Sequence, residues 1–122
     1  MYEISVEEVF SAAHCLRGHK GKCEALHGHN WKVEAAICSE GLDELGLVLD
    51  FQELKAKLKS VLDKFDHGYL NELPPFDRIN PSSENMARHI CEELQRIIGK
   101  PGVKIVQVNV WESPGSRATF RP

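Results

Sequence analysis

Residues 23–38 read CEALHGHNWKVEAAIC, and the second half of this stretch has the alternating pattern of a β-strand. Its apolar positions are Trp31, Val33, Ala35 and Ile37. Because successive side chains of a strand point to opposite faces of a sheet, this spacing gives the strand one dry face. The stretch therefore predicts a sheet that buries one of its two faces.

Two other segments have the same two-residue period. Tyr2, Ile4 and Val6 alternate with polar residues, and this first strand continues irregularly toward His14. The β-branched, alternating residues 103–112 predict a third strand. Residues 41–46 are rich in glycine and acidic side chains, so they predict a turn after the second strand.

Two segments between the second and third strands have helical spacing. Asp50 predicts the N-cap of the first helix, and Glu53 completes a capping box. Ser82 or Ser83 begins the second helix, which Gly99 ends. The two apolar stripes are Phe51, Leu54, Leu58, Val61, Leu62 and Phe65, and Met86, Ile90, Leu94 and Ile97. The order ββααβ predicts an α+β domain with an antiparallel sheet and both helices on one face.

The size and charge of the chain narrow its class. Its 122 residues, without repeats or linkers, predict a single domain over residues 1–122. Its 15 basic and 18 acidic residues leave a net charge of −3, which argues against a nucleic-acid partner. No signal peptide, membrane span or CxxC pair is apparent, so we expect a cytoplasmic protein with no membrane partner. The exposed edges of a small sheet predict a homo-oligomer.

The histidines of the HGH motif predict a metal site. His27 and His29 lie on the same face of an extended segment, with Gly28 leaving room between them. His14, near the end of the neighbouring strand, is the best third ligand. Three neutral imidazoles and an open position are typical of catalytic zinc, and this spacing does not fit a zinc finger. The alternative is a pair of surface histidines.

Three further residues are candidates for catalysis. Cys23 is a fourth metal ligand, a thiolate base or a small buried apolar residue, and we favour the base because a nearby dication promotes loss of the thiol proton. Asp66 and His67 follow the first helix, where the helix dipole favours an imidazolium and the carboxylate can orient the ring. The alternative for His67 is a plain helix cap.

Glu112 ends the third strand on the side expected to be dry. The residues expected on that side with it are Val106, Val108 and Val110. A carboxylate there is costly without a partner, and a ligand with two parallel N–H donors would supply one. The alternative is that Glu112 escapes to solvent. The loop before Cys23 carries four basic residues, Arg17, His19, Lys20 and Lys22. These side chains are either solvated or hold a polyphosphate.

These motifs resemble those of the 6-pyruvoyl-tetrahydropterin synthase / 6-carboxy-tetrahydropterin synthase family. The resemblance spans nearly the whole chain, with AAH at 12–14, CxxxHGH at 23–29, DF at 50–51, DH at 66–67, PSSEN at 81–85 and WES at 111–113. It implies the tunnelling fold, with a four-stranded antiparallel sheet, two helices on one face and subunits whose sheets join into a barrel. It also implies trimer-based assemblies, often hexamers, with active sites between subunits.

The resemblance implies a pterin substrate, 7,8-dihydroneopterin triphosphate. Zinc on the three histidines would hold its side-chain hydroxyls, with Cys23 as the base linked to Asp66 and His67. Glu112 would anchor the pterin, whose N3–H and 2-amino group form the donor fork that a carboxylate accepts.

The three-residue gap between Cys23 and His27 resembles that of the bacterial 6-carboxy-tetrahydropterin synthases of queuosine (7-deazaguanine) biosynthesis. These lyases form 6-carboxy-5,6,7,8-tetrahydropterin, acetaldehyde and triphosphate. Glu24, directly after Cys23, resembles a subgroup associated also with folate through 6-hydroxymethyl-dihydropterin. An alternative of another class is a zinc-stabilised binding module without turnover.

Overall fold

The computed structural model describes residues 1–18 and 25–122, so Cys23, Glu24 and the basic residues His19, Lys20 and Lys22 lie outside the described residues. The strands are β1 (Tyr2–His14), β2 (His27–Ser39), β3 (Gly68–Tyr69), β4 (Lys104–Ser113) and β5 (Ser116–Phe120). The α-helices are α1 (Phe51–Leu62) and α2 (Ser83–Ile98). Within the described ranges, no helix is both long and apolar enough to cross a membrane.

The sheet has five strands in the order β3-β1-β2-β4-β5. The four strands β1, β2, β4 and β5 pair antiparallel, as the fold class requires. The expected strand count of four is wrong, because the two-residue β3 pairs parallel with β1 at the edge. The α+β class itself is confirmed.

The core lies between one face of the sheet and the two helices. Alternate residues of β1 and β2 point into it, among them Phe10 and Trp31, whose rings stack 5.9 Å apart. The dry face expected for β2 is confirmed, because Trp31, Val33 and Ile37 are fully buried. Since this face also continues to the ends of β1 and β2, side chains there lie beside the core.

The predicted helix ends agree with the structure. The Asp50 side chain accepts hydrogen bonds from the Gln52 and Glu53 backbone N–H groups, and Ser82 caps α2 by accepting from Asn85. Gly99 ends α2 in the left-handed conformation, with φ of 62°. Such N-caps are each worth about 1 kcal/mol.

The prediction that every residue of the two apolar stripes is buried is wrong at two positions. Phe51 is exposed, and Ile97 lies at the border of the α2 stripe, where Ile98 is buried in its place. The exchange follows from helix geometry, since the buried row Ala87, Cys91 and Leu94 advances by steps of four and three residues, and the next step of four reaches Ile98.

Candidate metal centre and active site

The pairing of β1 with β2 brings the three predicted histidine ligands together. In this antiparallel register His14 is opposite His27, and Ala12 is opposite His29. Directly opposed residues share a face, so all three imidazoles lie on the core side of the sheet. Trp31 packs against the site, with its ring centroid 4.9 Å from that of His14.

The Nε2 atoms of the three histidines converge with a carboxylate oxygen. The Nε2 atoms of His14 and His27 are 3.2 Å apart. Glu112 Oε1 lies 3.3 Å from Nε2 of His14, 3.6 Å from that of His27 and 2.7 Å from that of His29. All four ligand atoms lie within 4.8 Å of one another, which is close enough for one metal ion. We call these four residues the His–Glu cluster.

Glu112 reaches the cluster because of the register between β2 and β4. Val33 pairs with Val110 and Lys32 with Trp111, so Glu112 continues the buried row of β4 toward the histidines. The prediction that Val106 lies on the buried side of β4 is wrong. The register between β2 and β4 shifts at a bulge between Ala36 and Ile37, so Ile105 is buried instead. Only a third of the Glu112 side chain is exposed.

Backbone carbonyls orient two of the imidazoles. His14 Nδ1 lies 2.7 Å from the Pro81 carbonyl, and His27 Nδ1 lies 2.9 Å from that of Ala25. A carbonyl only accepts, so each Nδ1 carries the hydrogen and, in the neutral ring, leaves Nε2 with a free lone pair. Histidines that bind a metal through one ring nitrogen usually donate the N–H of the other nitrogen in this way.

The cluster therefore gathers acceptors that cannot satisfy one another. His29 Nε2 is buried and makes no hydrogen bond of acceptable geometry, although Glu112 Oε1 is only 2.7 Å away. Burial lowers the pKa of His29, and the neighbouring His27 and His14 lower it further, although Glu112 opposes this effect. Neutral imidazoles and a carboxylate around one point suit a cation, so the residues present fit a metal ion.

Asp66 and His67 are held against β1 beyond the end of α1. Asp66 Oδ1 accepts the Ser11 backbone N–H at 2.9 Å and lies 3.1 Å from His67 Nδ1. The Ser11 hydrogen bond is the main cause of the lowered pKa of Asp66, and the nearby His67 adds to it. The His67 backbone N–H donates to the Ser11 carbonyl, and the C-cap of α1 is Asp63. His67 is therefore not the helix cap, and its side chain is exposed.

Two cavities each include one residue of the His–Glu cluster in their lining. One, of about 380 Å³, has His29 and His67 in its lining. Its other lining residues include Ser11, Ala13, Gly28 and Asn30, which alternate with the histidines along the strands and so lie on the opposite face of the sheet. The other, of about 300 Å³, lies at the N-terminus of α2 and is lined by Ser83, Glu84, Glu112 and residues of β5. The cavity lined by Glu112 is therefore the one that adjoins the cluster.

The structure gives Arg17 a structural role, whereas the sequence left its basic group either solvated or holding a polyphosphate. Its guanidinium donates to the backbone carbonyls of Asn71, Phe76 and Ile79. Asn80 also exchanges two hydrogen bonds with the Arg17 backbone. These contacts fasten the segment before α2 to the end of β1, and sequence reasoning missed them because the partners are 54–63 residues apart.

A small α+β domain with three histidines and a glutamate converging at one end of its sheet has the form of a metal-dependent enzyme. The family model for 6-pyruvoyl tetrahydropterin synthase matches residues 3–122. The chain belongs to this family.

Individual relatives agree with the family assignment. A 6-carboxy-5,6,7,8-tetrahydropterin synthase of Synechocystis is 38% identical over 113 residues, with 88% of this chain and 85% of the relative covered. The enzyme of that name from Haemophilus influenzae is 32% identical and covers 99% of both chains. The structure of Caenorhabditis elegans 6-pyruvoyl tetrahydropterin synthase superposes with a TM-score of 0.82 at 30% identity, covering 100% of this chain and 97% of that one. The tunnelling fold is thereby confirmed.

Proposed function

We propose that this chain is a zinc-dependent 6-carboxy-5,6,7,8-tetrahydropterin synthase. It would convert 7,8-dihydroneopterin triphosphate and water to 6-carboxy-5,6,7,8-tetrahydropterin, acetaldehyde and triphosphate, for queuosine biosynthesis. The observation that carries the proposal is the His–Glu cluster, found in a chain whose curated relatives bear this enzyme's name. The same cluster argues for chemistry at the site in preference to binding alone.

Zinc is the metal that the donor set favours. Three imidazoles from His14, His27 and His29 match the ligand set of catalytic zinc, whereas magnesium and calcium prefer oxygen ligands. When bound, zinc supplies a Lewis acid that makes the substrate's side-chain hydroxyls more acidic. The cavity lined by Glu112 leaves room for a substrate to approach the cluster.

The other residues bind the pterin and move protons. Glu112 would accept the N3–H and 2-amino donors of the pterin from the cavity at the N-terminus of α2. Cys23 would take a proton from the substrate side chain, and C–C cleavage would release its outer two carbons as acetaldehyde. The exposed His67 ring, beside the Asp66 carboxylate, would exchange protons with a group in the cavity that it lines.

The active protein would be a cytoplasmic, trimer-based homo-oligomer, with a hexamer as the expected form. Residues 2–10 of β1 have no strand partner on their outer edge among the described residues, and β5 is the strand at the other edge. The β1 edge carries Glu3 and Glu7, while Arg117 and Arg121 lie in or next to β5. Opposite charges on the two free edges favour β1 of one subunit pairing with β5 of the next.

Product analysis tests the activity. The zinc-loaded protein is incubated with 7,8-dihydroneopterin triphosphate under a thiol reductant that keeps Cys23 free, and the pterins are identified by mass spectrometry. We expect 6-carboxy-5,6,7,8-tetrahydropterin with an equal amount of acetaldehyde, and no product after zinc removal. A protein that binds the substrate without turnover, and unfolds when zinc is removed, would be a binding module instead.

A second candidate function is formation of 6-hydroxymethyl-dihydropterin, alone or beside the first product. It is favoured by Glu24 next to Cys23, together with a similar Plasmodium vivax 6-pyruvoyltetrahydropterin synthase whose catalytic residue is a glutamate, studied as a cysteine mutant. That structure is 25% identical with a TM-score of 0.82, covering 99% of this chain and 97% of that one. Cys23→Ala should abolish the 6-carboxy product and spare some 6-hydroxymethyl product, and Glu24→Ala should do the reverse. If Glu24→Ala changes neither product, the second function is excluded.

A further inference from the structure

We infer that Glu112 is the fourth ligand of the metal in the substrate-free protein and that it leaves the metal when a pterin binds. This inference rests on the proposed function for the identity of the pterin, but not for the ligation itself. The three histidines alone would leave one open position on a four-coordinate ion. The carboxylate of Glu112 already lies where that fourth ligand belongs.

The distances in the cluster support ligation. With metal–ligand bonds of about 2.0–2.2 Å, two ligand atoms of a tetrahedral zinc site are about 3.3–3.6 Å apart. Glu112 Oε1 is 3.3 Å from Nε2 of His14 and 3.6 Å from that of His27. The two Nε2 atoms are 3.2 Å apart. These three separations are those of one face of such a tetrahedron, and only the 2.7 Å contact to His29 is shorter.

The hydrogen bonds of His14 and His27 also support ligation of the metal by Glu112. His14 and His27 donate through Nδ1 to backbone carbonyls, so their neutral rings have no hydrogen on Nε2 to offer Glu112. Close contacts among three acceptors are unfavourable unless a cation lies between them. A metal ion converts these contacts into four bonds, and a carboxylate is an ordinary zinc ligand.

The cavity at the N-terminus of α2 gives the Glu112 side chain room to move away from the metal. This side chain lines the 300 Å³ cavity with Ser83, Glu84 and Arg117, and a third of it is exposed. A carboxylate that accepts both donors of a pterin must use both oxygens, so it cannot hold the metal tightly at the same time. Pterin binding would therefore open a metal position for the substrate's hydroxyl groups.

Metal affinity without substrate tests the first half of the inference. Zinc dissociation constants are measured by chelator competition for the wild type, Glu112→Gln and the matched control Glu84→Gln, which loses the same charge from the same cavity. We expect Glu112→Gln to bind zinc at least about tenfold more weakly and Glu84→Gln to be unchanged. If Glu112 is not a ligand of the metal, Glu112→Gln should bind zinc equally well or more tightly. That result would overturn the inference.

Cobalt spectroscopy tests the second half. Co²⁺ replaces zinc, and its visible absorption is sensitive to the ligand set. The wild type and Glu112→Gln should differ before any pterin is added. 6-Methylpterin has no side-chain hydroxyls, so a spectral change at a pterin concentration that saturates its fluorescence anisotropy would report movement of Glu112. An unchanged spectrum with bound pterin would show that Glu112 stays on the metal.

The outcomes separate this inference from the proposed function. If Glu112→Gln loses pterin binding but keeps full zinc affinity, Glu112 is only a pterin anchor, and the inference fails while the enzyme activity stands. If Glu112→Gln weakens zinc binding but the wild type makes no tetrahydropterin, the ligand assignment stands and the proposed activity fails.

Discussion

His14 and Pro81 are joined by a 2.7 Å hydrogen bond from the imidazole Nδ1–H to the backbone carbonyl. A metal-ligand candidate at the end of β1 is therefore oriented by the residue directly before the N-cap of α2. The position of that carbonyl depends in turn on Asn85, which lies in the first turn of α2 and donates to the Asn80 carbonyl at 2.9 Å. The metal site is thus coupled to the start of a helix.

Asn85→Asp is expected to weaken metal binding without removing a ligand. Aspartate keeps the shape of asparagine but loses the Nδ2–H donor, which should loosen the 80–81 backbone and the orientation of His14. Outer contacts of metal ligands are worth about 10–100-fold in affinity, and we expect the lower end of that range. The measurement is zinc affinity by chelator competition.

Ser60→Ala is the control for Asn85→Asp. It also removes one side-chain hydrogen bond to a backbone carbonyl, but on the exposed face of α1. Each variant should lose about 1 kcal/mol or less of unfolding free energy. Equal zinc affinities in both variants would contradict the coupling between Asn85 and the metal site.

His27→Ala should lose the metal and the activity while the protein stays folded. The His27 side chain is partly exposed and lies at the rim of the cluster, so its removal leaves no large cavity in the core. Elemental analysis of the purified variant should show little zinc, and its circular dichroism should match that of the wild type. Full zinc occupancy in this variant would refute the ligand assignment.

Much of this site follows from the residues of β1 and β2 alone. The two-residue period placed His27, His29 and the core residues after them on one face, and the same face of β1 holds His14. This reasoning succeeded because one buried face allows only one register of a strand.

The remaining features depend on contacts between distant segments. Glu112 joins the histidines only through the β2–β4 register, which includes a bulge that alternation does not reveal. The strand β3 has two residues and β5 has five, too few for a clear period. The carbonyl of Pro81 carries no side-chain signal, so its contact with His14 was not predicted from the sequence.

His89 should make stability depend on pH. Its ring lies between Phe65 and Phe76, with centroids 5.6 Å from each, and burial lowers its pKa. Glu93 and Glu92 oppose this shift, and Lys64 and Arg96 add to it. Above the ordinary histidine pKa of about 6.5, His89 is neutral in both the folded and unfolded states.

As the pH falls below about 6.5, the unfolded chain binds a proton that the folded protein resists, so the unfolding free energy decreases. The slope from one such group is at most about 1.4 kcal/mol per pH unit. Urea unfolding at pH 7.5 and 5.5 should therefore show a smaller loss for His89→Gln than for the wild type. An equal loss in the two proteins would show that His89 does not contribute. Comparing them cancels the contribution of His29, whose pKa is also lowered.

Asp66, His67 and Cys23 should act as one catalytic unit. The lowered pKa of Asp66 keeps its carboxylate ionised at neutral pH, where it can orient the His67 ring through the 3.1 Å contact between Oδ1 and Nδ1. His67→Asn removes the ring that would relay the proton and keeps a polar side chain. If the proton taken by Cys23 passes to His67, adding His67→Asn to Cys23→Ala should cost little further rate, as in other coupled catalytic groups.

The measurement for this unit is the single-turnover rate of 6-carboxy-5,6,7,8-tetrahydropterin formation for both single variants and the double variant. Asp66→Asn adds a second test, because its remaining oxygen can still accept the Ser11 N–H, so a rate loss without a loss of stability would reflect the His67 contact. Rate losses that simply multiply in the double variant would mean that the residues act independently. In that case the role of the Asp66–His67 pair would be to hold the loop after α1 against β1, through its hydrogen bonds with the Ser11 backbone.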